Sequence, residues 1–185
     1  MKSSLLNIVL VGPPGSGKTT TGRLLAQSLD WQFLDIDLVI EARLGCTIQE
    51  FFAKNGETQF RREETETLQD LLASNLAETV VATGGGIMTT EGNFALMQKL
   101  GHVIGLKATV ASLAQRLHGD SSRPLLAQDD ATAGEPKARL ISRLQQLLIK
   151  RERVYQLPPL LIETDSRSPN EVAAEIVRHL RLAED

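Results

Sequence analysis

The chain is poor in the residues that announce specialised chemistry. One cysteine in 185 residues excludes an intramolecular disulfide and fits a reducing compartment. Cys46 reads as a small, buried or half-buried hydrophobe rather than a catalytic thiol. Aromatics make up only 4% of the chain, against 42% hydrophobic and 23% charged residues, the make-up of an ordinary soluble globular protein. The net charge is only −3, so there is no electrostatic basis for nucleic acid or an anionic membrane as partner. Apolar runs are short: Leu5–Val11 is too brief to cross a bilayer and carries no signal-peptide cleavage region. Internal repeats and low-complexity tracts are absent. These absences leave one soluble domain over residues 1–185, expected in the cytoplasm as a monomer.

What is present is a strand–helix alternation. The runs Asn7–Val11, Val80–Thr83, Val103–Leu106 and Leu160–Glu163 are rich in aliphatic residues and do not alternate with polar ones, as in strands buried on both faces of a parallel sheet. Trp31–Asp35 is a plausible fifth. Leucines at helical spacing predict helices over Thr19–Leu29, Glu63–Leu76, Pro136–Arg153 and Pro169–Leu182. The fold class is therefore α/β, a mostly parallel sheet between helices, with ligands expected beyond the carboxyl ends of the strands. His118–Glu135 breaks the pattern. It is polar and long for a plain connection, which suggests a lid at about 118–135.

The run from Gly12 to Thr19, GPPGSGKT, fits the phosphate-binding pattern G-x-x-x-x-G-K-[ST], and it follows a strand and opens a helix. Glycines let backbone N–H groups approach phosphate oxygens, and the helix N-terminus adds a favourable field. Lys18, expected outside the core, would reach the β- and γ-phosphates, and the Thr19 hydroxyl would face Mg²⁺. The bound group is thus a nucleoside triphosphate.

The acceptor is written less plainly. Asp35 and Asp37 close the second strand; if the chain is still extended there, both carboxylates face one side, roughly 7 Å apart. That separation suits one on Mg²⁺ and its waters and the other on an acceptor hydroxyl. Gly84-Gly85-Gly86 ends the third strand, where side-chain-free residues permit positive φ and close backbone approach to a ligand. Arg61, Arg123 and Arg151 gain meaning jointly, since guanidinium groups bind carboxylates in bidentate fashion and neutralise a moving phosphoryl group.

In order and spacing, GPPGSGKTTTGRLLAQSL, FLDIDLVIE, IQEFFAKNGETQFRREETETL, VVATGGG, RPLL, KR and Tyr155 resemble the shikimate kinase family from Ile8 to about Val177. The resemblance implies a P-loop fold with a five-stranded parallel sheet, a substrate-binding region at about 35–65 and a lid. It implies Mg²⁺-dependent transfer of the ATP γ-phosphoryl group to the 3-hydroxyl of shikimate, on the route to chorismate. It gives Gly12, Gly15, Ser16, Gly17, Lys18, Thr19 and Thr20 to the ATP phosphates, with Arg116 and Pro169 on the two faces of the adenine. Thr19 and Asp35 would serve the metal. Asp37 would contact shikimate hydroxyls and accept a proton, Arg61, Arg151 and Gly84–Gly86 would hold the carboxylate, and Arg123 would close over the phosphates. Lys18, Asp37 and Arg123 are the implied catalytic set. Two departures stand out: Arg153 replaces a usual proline in RERVY, and the connection QLPPLL is short. A gluconate- or nucleoside-monophosphate-kinase-like enzyme would keep the P-loop and lid but lack this combination of DID, FRRE and GGG. A non-catalytic binding module would lose Lys18, Asp37 or the lid arginine.

Overall fold

The computed structural model describes residues 7–118 and 135–182. Five parallel strands form one sheet: β1 (Asn7–Val11), β2 (Gln32–Asp35), β3 (Thr79–Ala82), β4 (His102–Lys107) and β5 (Leu160–Glu163), in the order β2-β3-β1-β4-β5. β1 lies at the centre, paired with β3 and β4, and all five of its residues are buried. That position explains its unalternated sequence, because helices cover both of its faces.

The sheet separates two apolar layers. On one face, Val9, Val11, Val81 and Val103 pack with Ile36, Ile40, Phe60, Leu68 and Met97. These come from α2 (Ile36–Leu44), α3 (Ile48–Ala73) and α4 (Asn93–Leu100); Cys46 packs half-buried against the same cluster. On the other face, Ile8, Leu10, Val80, Ile104 and Ile162 meet Leu25, Val172 and Ile176 of α1 (Lys18–Leu29) and α7 (Pro169–Leu182). A third cluster joins Leu113 and Leu117 of α5 (Val110–Leu117) to Leu144 of α6 (Pro136–Tyr155).

Three differences from the sequence reading matter. The helix expected at Glu63–Leu76 runs from Ile48 to Ala73 and is broken at Gly56 (φ 77°, ψ 174°). A Thr47–Glu50 capping box fixes its start. The helices Asn93–Leu100 and Val110–Leu117 are too short to show several apolar repeats. The chain also turns helical at Ile36, so Asp35 and Asp37 do not share an extended strand end. Among the described residues, no helix is long and apolar enough to cross a membrane.

Candidate active site

β1 delivers the chain into the phosphate loop. Gly15 and Gly17 take φ of 77° and 94°, a region that glycine enters without strain. Gly17 caps α1, whose first residue is Lys18, so first-turn N–H groups and the positive end of the helix dipole meet the loop. Lys18 is buried, contrary to the expectation. Its Nζ donates to the Gly12 and Pro13 carbonyls at 3.0 Å each, tying the lysine across the loop that it would serve. Gly12 lies on the far side, where a Cβ would strike the Leu106 carbonyl.

Beside the loop is a cleft of about 420 Å³, a volume suited to a small-molecule ligand. Residues 15–21, Asp37, Thr83, Arg116, Thr164 and Pro169 are among those lining it. The cleft thus gathers Gly15, Ser16, Gly17, Lys18, Thr19, Thr20, Arg116 and Pro169 from three separate parts of the chain. Arg116 is held flat by donating to Thr164 Oγ1 at 2.9 Å, to the Thr164 carbonyl at 2.6 Å and to the Gly15 carbonyl at 3.3 Å. It therefore bridges the phosphate loop and the end of β5. Arg167, which sequence reasoning passed over, also lines the cleft; it donates to the Glu163 and Glu171 carbonyls at 3.1 and 3.2 Å and is ion-paired with Glu175.

The two aspartates have separate duties. Asp35 is the N-cap of α2, its Oδ1 accepting from the Asp37 N–H at 3.1 Å, while its Oδ2 accepts from Thr19 Oγ1 at 2.8 Å. The corrected geometry is a helix cap and not a pair of strand-end carboxylates, because Asp35 is a good capping residue. Asp37, one residue into α2, turns instead toward the glycine run: a Cβ on Gly84 would lie 2.7 Å from its Oδ1.

The expectation of positive φ in Gly84–Gly86 is not met; none of the three is among the positive-φ residues. Glycine is needed here for close approach. Cβ atoms would meet Asp37 and Glu64 at Gly84, Pro14 at Gly85 and the Arg61 guanidinium at Gly86 (Cζ 2.5 Å). Asn93 secures the stretch by donating to the Ile87 carbonyl at 3.0 Å while accepting from Thr65 of α3 at 2.9 Å. The Gly85 carbonyl accepts from Arg151 Nη1 at 3.2 Å and from Tyr155 Oη at 2.6 Å. Burial pushes the Tyr155 phenol up, against the nearby Arg151 charge, so it stays a donor. Arg151 and Tyr155 lie one turn apart on α6, which stays helical through an exposed Arg153. Arg153 therefore does not break the helix that carries Arg151.

Arg61 and Arg151 share a second cavity, about 530 Å³, with Glu57, Thr58, Thr89, Thr90, Lys150 and Val154. Behind it sits a residue that the sequence reading missed. Glu64 is fully buried; its Oε2 accepts from Arg61 Nη1 at 2.6 Å, and its Oε1 has no hydrogen-bond partner among the described residues. Burial, opposed by Arg61 and reinforced by Asp37, raises its carboxyl to about 7. Burial works to lower the Arg61 guanidinium, but Glu64 and Glu57 hold it above its ordinary value. The Arg61–Glu64 pair is thus fully ionised only on the alkaline side of neutrality. Its sequence signal was positional: Phe60, Glu64, Thr67, Leu68 and Leu71 form the buried stripe of α3, and Glu64 is the acid on it. Arg123 and the lid expected at about 118–135 lie outside the described residues, apart from the two end positions.

A family profile for shikimate kinase matches residues 14–181. A shikimate kinase from Marinomonas sp. (strain MWYL1) is 40% identical over 181 residues, 95% of this chain and 94% of that protein. One from Hahella chejuensis is 38% identical, covering 97% of this chain and 88% of its own. A solved shikimate kinase from Acinetobacter baumannii, in complex with shikimate, superposes with a TM-score of 0.85 at 37% identity, over 98% of this chain and 96% of that one.

Proposed function

This chain belongs to the shikimate kinase family, and on that premise we propose that it transfers the γ-phosphoryl group of ATP to the 3-hydroxyl of shikimate, giving shikimate 3-phosphate and ADP, as a cytoplasmic monomer. The carrying observation is a juxtaposition. Asp37 lines the nucleotide cleft and also reaches Gly84, while two arginines face the adjoining cavity. A ring with a carboxylate at one end and a hydroxyl at the other would span that arrangement.

The division of labour follows from the parts. The phosphate loop and Lys18 hold the β- and γ-phosphates, where fixed donors act on developing charge. Arg116 and Pro169 flank the base. Arg61 and Arg151 fix the acceptor carboxylate in bidentate geometry, with the Gly84–Gly86 backbone beside it. This anchoring leaves a hydroxyl at Asp37, which orients it in line and takes its proton. Arg123 adds positive charge at the phosphates. Thr19 Oγ1 and Asp35 Oδ2, 2.8 Å apart beside the loop, are hard oxygen donors of the kind Mg²⁺ takes. Among the described residues no group of three or more His, Cys, Asp or Glu side chains is placed to hold a metal ion. That fits an ion completed by phosphate oxygens and water. When bound, Mg²⁺ neutralises phosphate charge.

An ADP-release assay with ATP and Mg²⁺ across shikimate, quinate, gluconate and nucleoside monophosphates tests the assignment. Shikimate should give the highest kcat/KM; a higher value for gluconate or a nucleotide would replace this reading with the kinase class concerned. Absence of turnover with every acceptor would favour the non-catalytic binding module.

A further inference from the structure

The acceptor cavity already contains a carboxylate. Glu57 is the first residue after the Gly56 break in α3, and its side chain is 47% exposed. Its Oε1 accepts from Arg61 Nη2 at 2.7 Å and from Nε at 3.2 Å, and the same oxygen is 4.0 Å from Arg151 Nη2. Arg61 is therefore occupied on both sides. Nη1 is committed to the buried Glu64, and the Nε/Nη2 edge, the two-donor edge that this leaves for a carboxylate fork, is taken by Glu57.

The two glutamates differ in how firmly they are held. Glu64 is sealed under the site, whereas Glu57 stands at its mouth and makes its hydrogen bonds only to Arg61 among the described residues. Its single-oxygen contact also uses less of the fork than a two-oxygen ligand would. Resting on the assignment of a carboxylate-bearing acceptor, we propose that Glu57 stands in for the acceptor's carboxylate on Arg61 and Arg151 in the ligand-free protein, and that acceptor binding exchanges one carboxylate for the other. Glu57 is then a specificity residue. It balances two neighbouring guanidinium charges and competes with stray anions for them. A ligand displaces it only by adding further contacts, such as hydroxyls on Asp37, and affinity is lost in return for discrimination.

Calorimetric titration of nucleotide-free wild type, Glu57→Gln and Glu57→Ala tests the exchange with two ligands: shikimate, and its analogue bearing hydroxymethyl in place of carboxylate. Both variants should bind shikimate about 2- to 5-fold tighter, the scale of a partly exposed ion pair. The shikimate KM should fall in parallel, the ATP KM should stay where it is, and inorganic phosphate should inhibit the variants more strongly than wild type. Affinity for the hydroxymethyl analogue should not change, because that ligand does not need the contested edge. Weaker or unchanged shikimate binding by the variants overturns the exchange, as does an equal gain for both ligands. A wild-type chain that does not phosphorylate shikimate overturns the functional assignment and the exchange with it, whereas an active wild type with untightened variants overturns the exchange alone.

Discussion

The two halves of the proposed active site are built from different materials. The nucleotide half is mostly backbone: a loop with three positive-φ glycines, a helix N-terminus and a lysine tied to the Gly12 and Pro13 carbonyls. The acceptor half is mostly side chains, drawn from α2, α3 and α6 around a glycine stretch that they press against. A backbone site works through geometry that few residue types can adopt. A side-chain site works through charges that must be held, and here Glu64 and Glu57 hold Arg61 while the Gly85 carbonyl holds Arg151. On the proposed assignment the first half holds phosphates, which all nucleoside triphosphates share, and the second selects the acceptor.

Substitutions should separate these roles. Lys18→Ala removes the loop's cation and should lower turnover by on the order of 10³-fold, as loss of one preorganised transition-state contact does. Because Nζ also bridges two loop carbonyls, the melting temperature should fall as well, by a few degrees. Steady-state kinetics with a thermal melt check both; normal kcat in a folded variant would break the assignment. Asp37→Asn should act on the acceptor half. Turnover should fall about 10²- to 10³-fold, because an amide is a poor proton acceptor, and shikimate affinity should weaken. ATP affinity measured by titration should stay close to wild type, since Asp37 only edges that cleft.

Glu64 gives the acceptor half a stability signature of its own. With its carboxyl raised from an ordinary 4.5 to about 7, the folded state binds more protons than the unfolded state between those values. Its contribution is therefore fully present below about pH 4.5, declines as pH rises through 7 and is flat above. Over that window the decline is on the order of 3 kcal/mol. Denaturant midpoints from pH 4.5 to 8 should show it, and Glu64→Gln should flatten the curve. Gly56→Ala is the smallest of these changes. A side chain at φ 77°, ψ 174° is strained by roughly 1–3 kcal/mol, although a Cβ there meets nothing within 4 Å. Chemical denaturation should register that loss, with the ATP KM unmoved because the break belongs to the acceptor half.

The same contrast explains what could be read from the sequence. The phosphate loop was legible because its geometry demands a contiguous pattern; β1, β3 and β4 were legible because strands buried on both faces show as apolar runs, and β5, a half-buried edge strand, carries an aliphatic run as well. Asp35 misled because a strand end and a helix cap look alike before Ile36 declares the turn. Gly84–Gly86 were found for the wrong reason: the sequence marks an absence of side chains, and only the fold reveals that Asp37, Glu64, Pro14 and Arg61 fill the space. Glu64 was missed because one acid in FRREE stands out only when the α3 stripe of Phe60, Thr67 and Leu68 is known to be buried. Glu57 gains its meaning from Arg151, 94 positions later in the chain.

On the proposed function the phosphoryl group passes to one hydroxyl of an acceptor whose carboxylate is anchored on Arg61 and Arg151. Phosphorus–proton correlation NMR of the product formed from ATP, Mg²⁺ and shikimate tests it directly. One new phosphomonoester should appear in step with ADP, its phosphorus coupled to the proton on ring carbon 3. Coupling to a different ring carbon, or ADP accompanied only by inorganic phosphate, would contradict it.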